Sequence, residues 1–282
     1  MKILVSGSHG FVGSALVPFL TALGHQITRL VRPYDPAALD GVEAVAHLAG
    51  ESIIGRWTPG KKTQIRDSRV NGTRALAESL ARLARPPLAL VCASAVGYYG
   101  ERGEERLQED SPAGSGFLAD VCREWEAAAR PAVQQGIRVV NLRIGMVLSP
   151  HGGALAKMLP VFRLGLGGCL GSGRQYLSWI ALDDLVEVIA FALAAPNLRG
   201  PVNAVAPTPV TNREFTKTLG RLLGRPTLCP VPAFAARLAL GEMAEALLLA
   251  SARVMPAALL ASGFTFRYPD LDGALRHLVG TA

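Results

Sequence analysis

The chain has 282 residues, is 50% hydrophobic and carries 29 Lys and Arg against 22 Asp and Glu, a formal net charge of +7. That apolar content is enough for one large core, alone or with a small appended lobe, and no apolar run is long enough to cross a membrane before Gly, Pro or a charge breaks it. The positive balance does not indicate nucleic acid: the basic residues are dispersed, Lys61-Lys62 is the only adjacent pair, and there is no basic tail, so an anionic small ligand such as a phosphorylated nucleotide is the better account of part of the excess.

The run Ile3–Val5 breaks into Gly7, Gly10 and Gly13, and an apolar helical stretch, Ser14–Leu23, follows and stops at Gly24. Strand, glycine turn and helix together let backbone N–H groups and a helix N-terminus approach a pyrophosphate. Glycine is needed where a Cβ would block the phosphates or the helix–strand contact. The spacing is GxxGxxG, and its place between strand and helix predicts a dinucleotide site. Ile27–Val31 reads as a second strand and Val42–Leu48 as a third; helical periodicity runs from about residue 61 to 84 and stops at Arg85-Pro86-Pro87. Leu88–Ala93 is nearly continuously apolar, as in a strand buried on both faces. Phe117–Gln135 reads as helix, Arg138–Leu142 as strand, Leu182–Leu193 as a helix with Asp183 and Asp184 at its favourable end, and Val202–Val205 as a short strand.

This alternation predicts an α/β fold, a doubly wound parallel (Rossmann) sheet with helices on both faces. Beyond the break at Pro207-Thr208-Pro209, Thr211 and Glu214 form a capping box for a helix ending at Leu223. Pro226, Pro230 and Pro232 mark an extended linker, and Phe234–Leu249 and Ala252–Ala261 read as apolar helices. The expectation is a small, mainly helical C-terminal substrate lobe: residues 1–160 plus 180–208 form the nucleotide domain, and 161–179 plus 209–282 the lobe.

The second strand ends Arg29-Leu30-Val31-Arg32, with no carboxylate before Asp35. An Asp or Glu there would accept bonds from a ribose 2′-hydroxyl, whereas an Arg suits a 2′-phosphate, so Arg32 selects NADP(H) over NAD. Cys92, Cys122, Cys169 and Cys229 form no CxxC pair and read as reduced thiols. The strand begins directly after Met-Lys, so a cytoplasmic protein without a leader is expected. His25, His151 and His277 are too scattered for a metal site, and His47 reads as a core residue.

A set of segments carries a family resemblance: SGSHGFVG, HLAGE from His47, SRVNGT from Ser68, SAVGYYG from Ser94, WEAAAR from Trp125, LRIGMVLSPHGG from Leu142, RLGLGG from Arg163 and GSGRQYLSWI from Gly171. In this order they resemble the atypical extended branch of the short-chain dehydrogenase/reductase superfamily, in its "epimerase family protein" group. The resemblance implies that Gly7, Gly10, Phe11, Val12 and Gly13 line the pyrophosphate, that Val31 and Arg32 meet the adenosine ribose phosphate, that Leu48, Ala49 and Gly50 run along the cofactor's middle, that Arg69 lies near the same groove, and that Val147 lies toward the nicotinamide side. It also places Asn203, Trp179 and Tyr176 along the substrate cleft, with packing between the lobes as the alternative. The stretch from Pro33 to Gly41 is shorter than in such relatives.

Active members of that superfamily use a Tyr with a Lys four residues on, because a phenol of pKa near 10 needs a neighbouring cation to work at neutral pH. Here those positions hold Leu118 and Cys122, and no YxxxK occurs anywhere. Ser94, after the buried strand, and Tyr98 or Tyr99 are the remaining catalytic candidates; packed rings and a backbone-tied hydroxyl are the structural alternatives. Glu51 is the carboxylate nearest the groove. The leading reading is an NADP(H)-dependent oxidoreductase or epimerase-like protein acting on a small molecule, with a nucleotide-linked sugar as one option. The competing reading is an NADP(H)-binding sensor or scaffold with little turnover, linked to cell division. Helices 61–84 and 117–135 offer faces through which a homodimer could pair.

Overall fold

The structure, a computed structural model, describes residues 1–30 and 39–280. In chain order the first half contains β1 (Lys2–Ser6), α1 (Phe11–Ala22), β2 (Gln26–Leu30), β3 (Ala44–His47), α2 (Pro59–Ala81), β4 (Ala89–Ala95), a tight helical turn at Val96–Tyr99, β5 (Arg106–Leu107), α3 (Phe117–Ala127), α4 (Arg130–Gln134) and β6 (Arg138–Ile144). The second half adds β7 (Met146–Ser149), α5 (Gly153–Arg163), β8 (Tyr176–Leu177), β9 (Trp179–Ala181), α6 (Leu182–Ala194), β10 (Gly200–Ala204), β11 (Val210–Thr211) and α7 (Asn212–Leu222). It closes with α8 (Ala233–Leu240), α9 (Glu242–Ala244) running into a wide turn at Glu245–Leu249, β12 (Arg253–Val254), α10 (Ala257–Ala261) and α11 (Leu271–Val279).

Six strands form one parallel sheet in the order β10-β6-β4-β3-β1-β2. Both faces are covered, so the strand residues are apolar in both directions. Ile3, Val5, Ala44, Ala46, Val91 and Val140 point to one face, where Leu16, Val17 and Leu20 of α1 and Leu185, Val188 and Ile189 of α6 cover them. The alternate residues Leu4, Val45, Leu90, Cys92 and Val139 point to the other face and meet Leu76, Ala77 and Leu80 of α2 and Ala132 of α4. The expected doubly wound α/β sheet is therefore present. Strand order reverses between β1 and β3, and the crevice at the carboxyl ends of two such strands is where ligands settle in open α/β sheets.

Three predicted helices are interrupted. Phe117–Gln135 divides into α3 and α4, because Pro131 cannot supply an interior helical N–H. Phe234–Leu249 breaks at Gly241, which takes φ +61°. Ala252–Ala261 is helical only over α10; its first part is β12, which pairs in parallel with β5, and Pro256 separates the two. Helices α5 and α11 were not read from the sequence, although each carries a helical stripe: Leu155, Leu159 and Phe162 in one, Leu271, Leu275 and Leu278 in the other. These stripes share a core with Trp179, Phe215 and Leu219. The capping box of α7 is formed, Glu214 N donating to Thr211 Oγ1 and Thr211 N to Glu214 Oε2. Asp184 does more than favour a helix start. It is buried and accepts Arg267 N at 2.8 Å and Tyr268 N at 3.0 Å, which ties the C-terminal segment to α6. Burial raises its pKa against those two bonds. No helix among the described residues is long and apolar enough to cross a membrane.

Candidate functional site

The glycine turn sits at the crevice between β1 and β3. Gly7 takes φ +69°, and a Cβ built on it would stand 2.8 Å from Ala49 N and Leu48 C. A Cβ on Gly13 would lie 2.2 Å from Gly7 O, so α1 can approach the turn this closely only with glycine in its first turn. Gly10 is the residue before α1 and no side chain caps the helix there, which leaves amides of its first turn directed out of the end of the helix. Phe11 reaches across the crevice: a Cβ on Gly152 would meet its ring at 2.5 Å, and Gly153 is packed between Phe11 and Val147 O. Gly50 lies beneath Arg69, its absent Cβ 3.3 Å from the guanidinium carbon. The structure thus brings Gly7, Gly10, Phe11, Gly13, Leu48, Ala49, Gly50, Arg69 and Val147 to one crevice, with Val12 in the first turn of α1. Val31 and Arg32 lie outside the described residues.

Arg69 packs its guanidinium over the Trp125 ring at 5.1 Å and makes one hydrogen bond, Nη1 to Ile65 O at 3.0 Å. It has no ion pair among the described residues. Burial lowers its pKa, opposed by Cys122 and Glu51. Glu51 is at the exposed rim, where Lys61 Nζ stands 2.7 Å away and lowers the carboxyl pKa. His47 is a core residue, bonded through Nδ1 to Ser6 Oγ at 2.5 Å and through Nε2 to Thr73 Oγ1 at 3.1 Å.

Beyond β4 the three catalytic candidates have different surroundings. Ser94 is buried and donates to Glu126 Oε1 at 2.8 Å. The same carboxylate is held bidentately by Arg143, Nε and Nη2 each at 2.9 Å. Arg143 is 3% exposed, and the Glu126 carboxylate holds its guanidinium firmly charged. Tyr99 is fully buried: its hydroxyl accepts from Arg143 Nη1 at 2.9 Å and shares its proton between Asn203 Oδ1 at 2.7 Å and Gln108 O at 2.9 Å. Burial raises its pKa. The hydroxyls of Ser94 and Tyr99 are committed to this framework. Tyr98 differs. Its ring lies under the Arg143 guanidinium at 3.4 Å and edge-on to Tyr99 at 5.3 Å, it is half-buried, and its hydroxyl makes no hydrogen bond among the described residues.

The positions where the resemblance expects the Tyr and the Lys hold Leu118 and Cys122. Leu118, at the position where the resemblance expects the phenol, rests on Gly97 and joins an apolar cluster with Trp57 and Met243 of the C-terminal segment. Cys122 is buried and its thiol is pushed up to about 12, by burial first and by Glu126 second, so it is neither a cation nor a nucleophile. Two expectations taken from the resemblance are corrected. Trp179 and Asn203 do not border a cleft: both are fully buried, Trp179 Nε1 donating to Thr208 O at 3.0 Å and Asn203 Nδ2 to Met255 O at 2.9 Å. Glu126 and Arg143 were missed as site residues, because what they hold becomes visible only when α3, β6 and β4 are brought together.

Comparison with known proteins agrees with this architecture. Residues 3–205 match the model of the NAD dependent epimerase/dehydratase family, and residues 231–278 match a domain of unknown function (DUF1731). The chain is 45% identical to an epimerase family protein of Mycobacterium tuberculosis, over 97% of this chain and 96% of that one. It is 37% identical to the human epimerase family protein SDR39U1, over 99% and 100%. The crystal structure of the human protein (isoform 2) with NADPH superposes with a TM-score of 0.94 at 36% identity, covering 100% of both chains. A UDP-glucose 4-epimerase of Thermus thermophilus in complex with NAD, at 21% identity and a TM-score of 0.76, shares the fold. The chain belongs to the NAD dependent epimerase/dehydratase family, within the short-chain dehydrogenase/reductase superfamily.

Proposed function

We propose that this chain binds NADP(H) in the β1/β3 crevice and works as an oxidoreductase or epimerase-like enzyme on a small molecule, without the Tyr/Lys pair. The observation that carries the reading is the crevice itself: Cβ atoms at Gly7 and Gly13 would collide with backbone, and the same turn exposes α1 amides beside Arg69, which makes no ion pair among the described residues. That combination fits a diphosphate. A relative of full-length similarity whose structure contains NADPH supports it. Bound there, the cofactor would supply hydride chemistry. Gly7, Gly10, Phe11, Val12 and Gly13 would hold its phosphates, Leu48, Ala49, Gly50 and Val147 its flank, and Arg69 would neutralise charge. Val31 and Arg32 would meet the 2′-phosphate.

Among Ser94, Tyr98 and Tyr99, we assign proton supply to Tyr98, whose hydroxyl alone of the three is uncommitted; Ser94 and Tyr99 hold the wall behind it. The substrate would enter between the nucleotide domain (1–160 plus 180–208) and the lobe (161–179 plus 209–282). That division is supported by the separate core around Phe215, Leu219 and Leu271, to which α5 also contributes. Four unpaired cysteines suit a cytoplasmic protein. The helix pair α2 and α3, joined by Arg66 and Glu124 at 2.6 Å, remains the face proposed for a homodimer.

The sensor or scaffold reading has one specific support: Leu118 and Cys122 fill the positions of the pair with side chains that transfer no proton. A fluorescence titration with NADPH, followed by a panel of carbonyl and sugar-nucleotide compounds, separates the two. Tight binding with oxidation of NADPH by a member of the panel supports the enzyme, and binding without turnover across the panel supports the sensor. Arg32→Asp should weaken NADPH about tenfold or more and leave NADH nearly unchanged. Equal losses for both would remove the 2′-phosphate contact.

A further inference from the structure

Large apolar side chains left in water are ordinary when scattered and informative when gathered. Thirteen are exposed among the described residues, and seven of these fall in two stretches, 161–166 and 228–238. Leu164, Leu228, Phe234 and Leu238 are between 71% and 83% exposed. The backbone joins the two stretches. The turn after α5 closes with Leu166 N donating to Val161 O at 3.1 Å and then runs alongside the proline segment: Cys229 N donates to Gly167 O at 3.2 Å, and Val231 N to Cys169 O and Gly171 N to Val231 O, each at 2.9 Å. A Cβ on Gly168 would stand 1.9 Å from Cys229 O, so only glycine permits this approach. Helix α8 starts directly after Pro232, and Phe234 and Leu238, four residues apart, share one of its faces.

The charge of this strip has one sign. Residues 152–182 and 215–241, which contain it, hold seven Lys and Arg and no Asp or Glu, so a partner meets attraction only if it is anionic. An arginine precedes two of the protruding leucines, Arg163 before Leu164 and Arg237 before Leu238, and Arg225 opens the proline segment. The carboxylates that pair into these stretches from other elements are Glu245, on Arg237, and Asp272, on Arg221. Arg163, Lys217 and Arg225 are exposed and make no ion pair among the described residues. A rigid protein partner would need a pocket for each protruding side chain. A bilayer interface needs none: Leu and Phe pass between the headgroups while arginine stems lie along the apolar boundary and their guanidinium groups stay level with the phosphates. Anionic lipid adds attraction for such a cluster. Lying on a surface in this way requires no membrane-crossing helix, and none is found among the described residues.

We propose that the strip formed by the end of α5, the proline segment 226–232 and α8 docks this protein on an anionic phospholipid surface. Leu164, Leu228, Phe234 and Leu238 enter the interface, and Arg163 and Arg225 meet lipid phosphates. The strip is separate from the glycine crevice: α5 begins beside Phe11 at Gly153 and ends in the strip at Arg163, about 15 Å of helix away.

The test is co-sedimentation of the full chain with vesicles of phosphatidylcholine alone and of phosphatidylcholine mixed with phosphatidylglycerol. The mixed vesicles should bind the protein about tenfold or more tightly than the neutral ones, and added salt should weaken that binding. Phe234→Ser with Leu238→Ser should lose about tenfold in vesicle affinity, and Arg163→Gln with Arg225→Gln a few-fold together with part of the salt dependence. These side chains are exposed, so the variants should keep the wild-type urea midpoint; Leu228→Ser gives a second reading of the apolar contribution should the α8 pair disturb the helix. Leu88→Ser, at an exposed leucine outside the strip, should bind vesicles as the wild type does. Equal binding to the two vesicle types, no binding to either, or full binding by both the α8 pair and Leu228→Ser would overturn the proposal. A dimer in light scattering that these substitutions dissociate, without vesicle binding, would assign the strip to a second copy, and retention on immobilised polyglutamate without vesicle binding would assign it to an acidic protein; either result also overturns it. No cofactor enters the experiment, so its failure leaves the reading of the glycine crevice untouched.

Discussion

The two ends of the crevice are built by different means. At the β1–α1 end, the backbone shapes the site and glycines make room for it: Gly7 and Gly13 are required because carbonyl and amide groups pass within 3 Å of where a Cβ would be. At the β4–α3 end, side chains shape the site, and most of them are bonded to one another. Ser94, Glu126, Arg143, Tyr99 and Asn203 form a continuous, largely buried network, and of the three candidate hydroxyls that of Tyr98 alone makes no hydrogen bond among the described residues. A site made by omitted side chains is legible from glycine spacing. A site made by side chains depends on which partners the fold supplies.

The comparison is broken most directly at its polar end. Arg143→Met should cost about 3 to 4 kcal/mol in urea unfolding, because it leaves the largely buried Glu126 carboxylate without its guanidinium and removes a donor from Tyr99. A loss below about 1 kcal/mol would show that the network is not what stabilises this wall. At the glycine end, Gly13→Ala should cost about 2 to 3 kcal/mol, since the contact is with backbone that cannot rotate away. It should also weaken NADPH more than any single side-chain change in the crevice, measured by the same fluorescence titration.

Much of the fold could be read from the sequence for the same physical reason as the glycine turn. Continuous apolar runs such as Leu88–Ala93 imply a strand buried on both faces, and Thr211 with Glu214 announces a helix start whatever surrounds it. The parts that could not be read depend on contacts distant in sequence. Arg253-Val254 has no strand signal of its own and becomes β12 only because Arg106-Leu107 is there to pair with it. Ser94 and Tyr99 suggested catalysis by residue type and strand-end position, yet Glu126, 32 residues from Ser94, and Asn203, 104 residues from Tyr99, decide what their hydroxyls do. Helix α11 is a different case: its stripe of Leu271, Leu275 and Leu278 after the capping Asp270 is a local helix signal that needs no distant partner.

Two thiols sharpen the contrast further. Cys92 and Cys122 are both pushed up to about 12 by burial, from 9.0. A folded-state pKa above the unfolded value makes a contribution to stability that is present in full below pH 9 and is lost as the pH rises from 9 toward 12. Stability should therefore fall with pH across that window, and Cys122→Ala should make the fall shallower. Native protein at pH 8 should take up a thiol reagent at the exposed Cys229 long before Cys122. Rapid labelling of Cys122 would show a reactive thiol at that position and contradict its burial.

The smallest stability changes discriminate best between the two tyrosines. Tyr99→Phe should cost about 2 kcal/mol, because Arg143 loses an acceptor and Asn203 a donor inside the core. Tyr98→Phe removes a hydroxyl with no partner among the described residues and keeps the ring that Arg143 stacks upon, so it should change stability by less than about 0.5 kcal/mol. If Tyr98 supplies the proton, that nearly silent substitution should abolish whatever NADPH-linked turnover the substrate panel uncovers while leaving NADPH affinity intact. Tyr99→Phe should keep turnover at temperatures where it stays folded. The reverse pattern, with Tyr98→Phe active and folded Tyr99→Phe inactive, would move the chemistry into the buried network and make Tyr98 a packing residue.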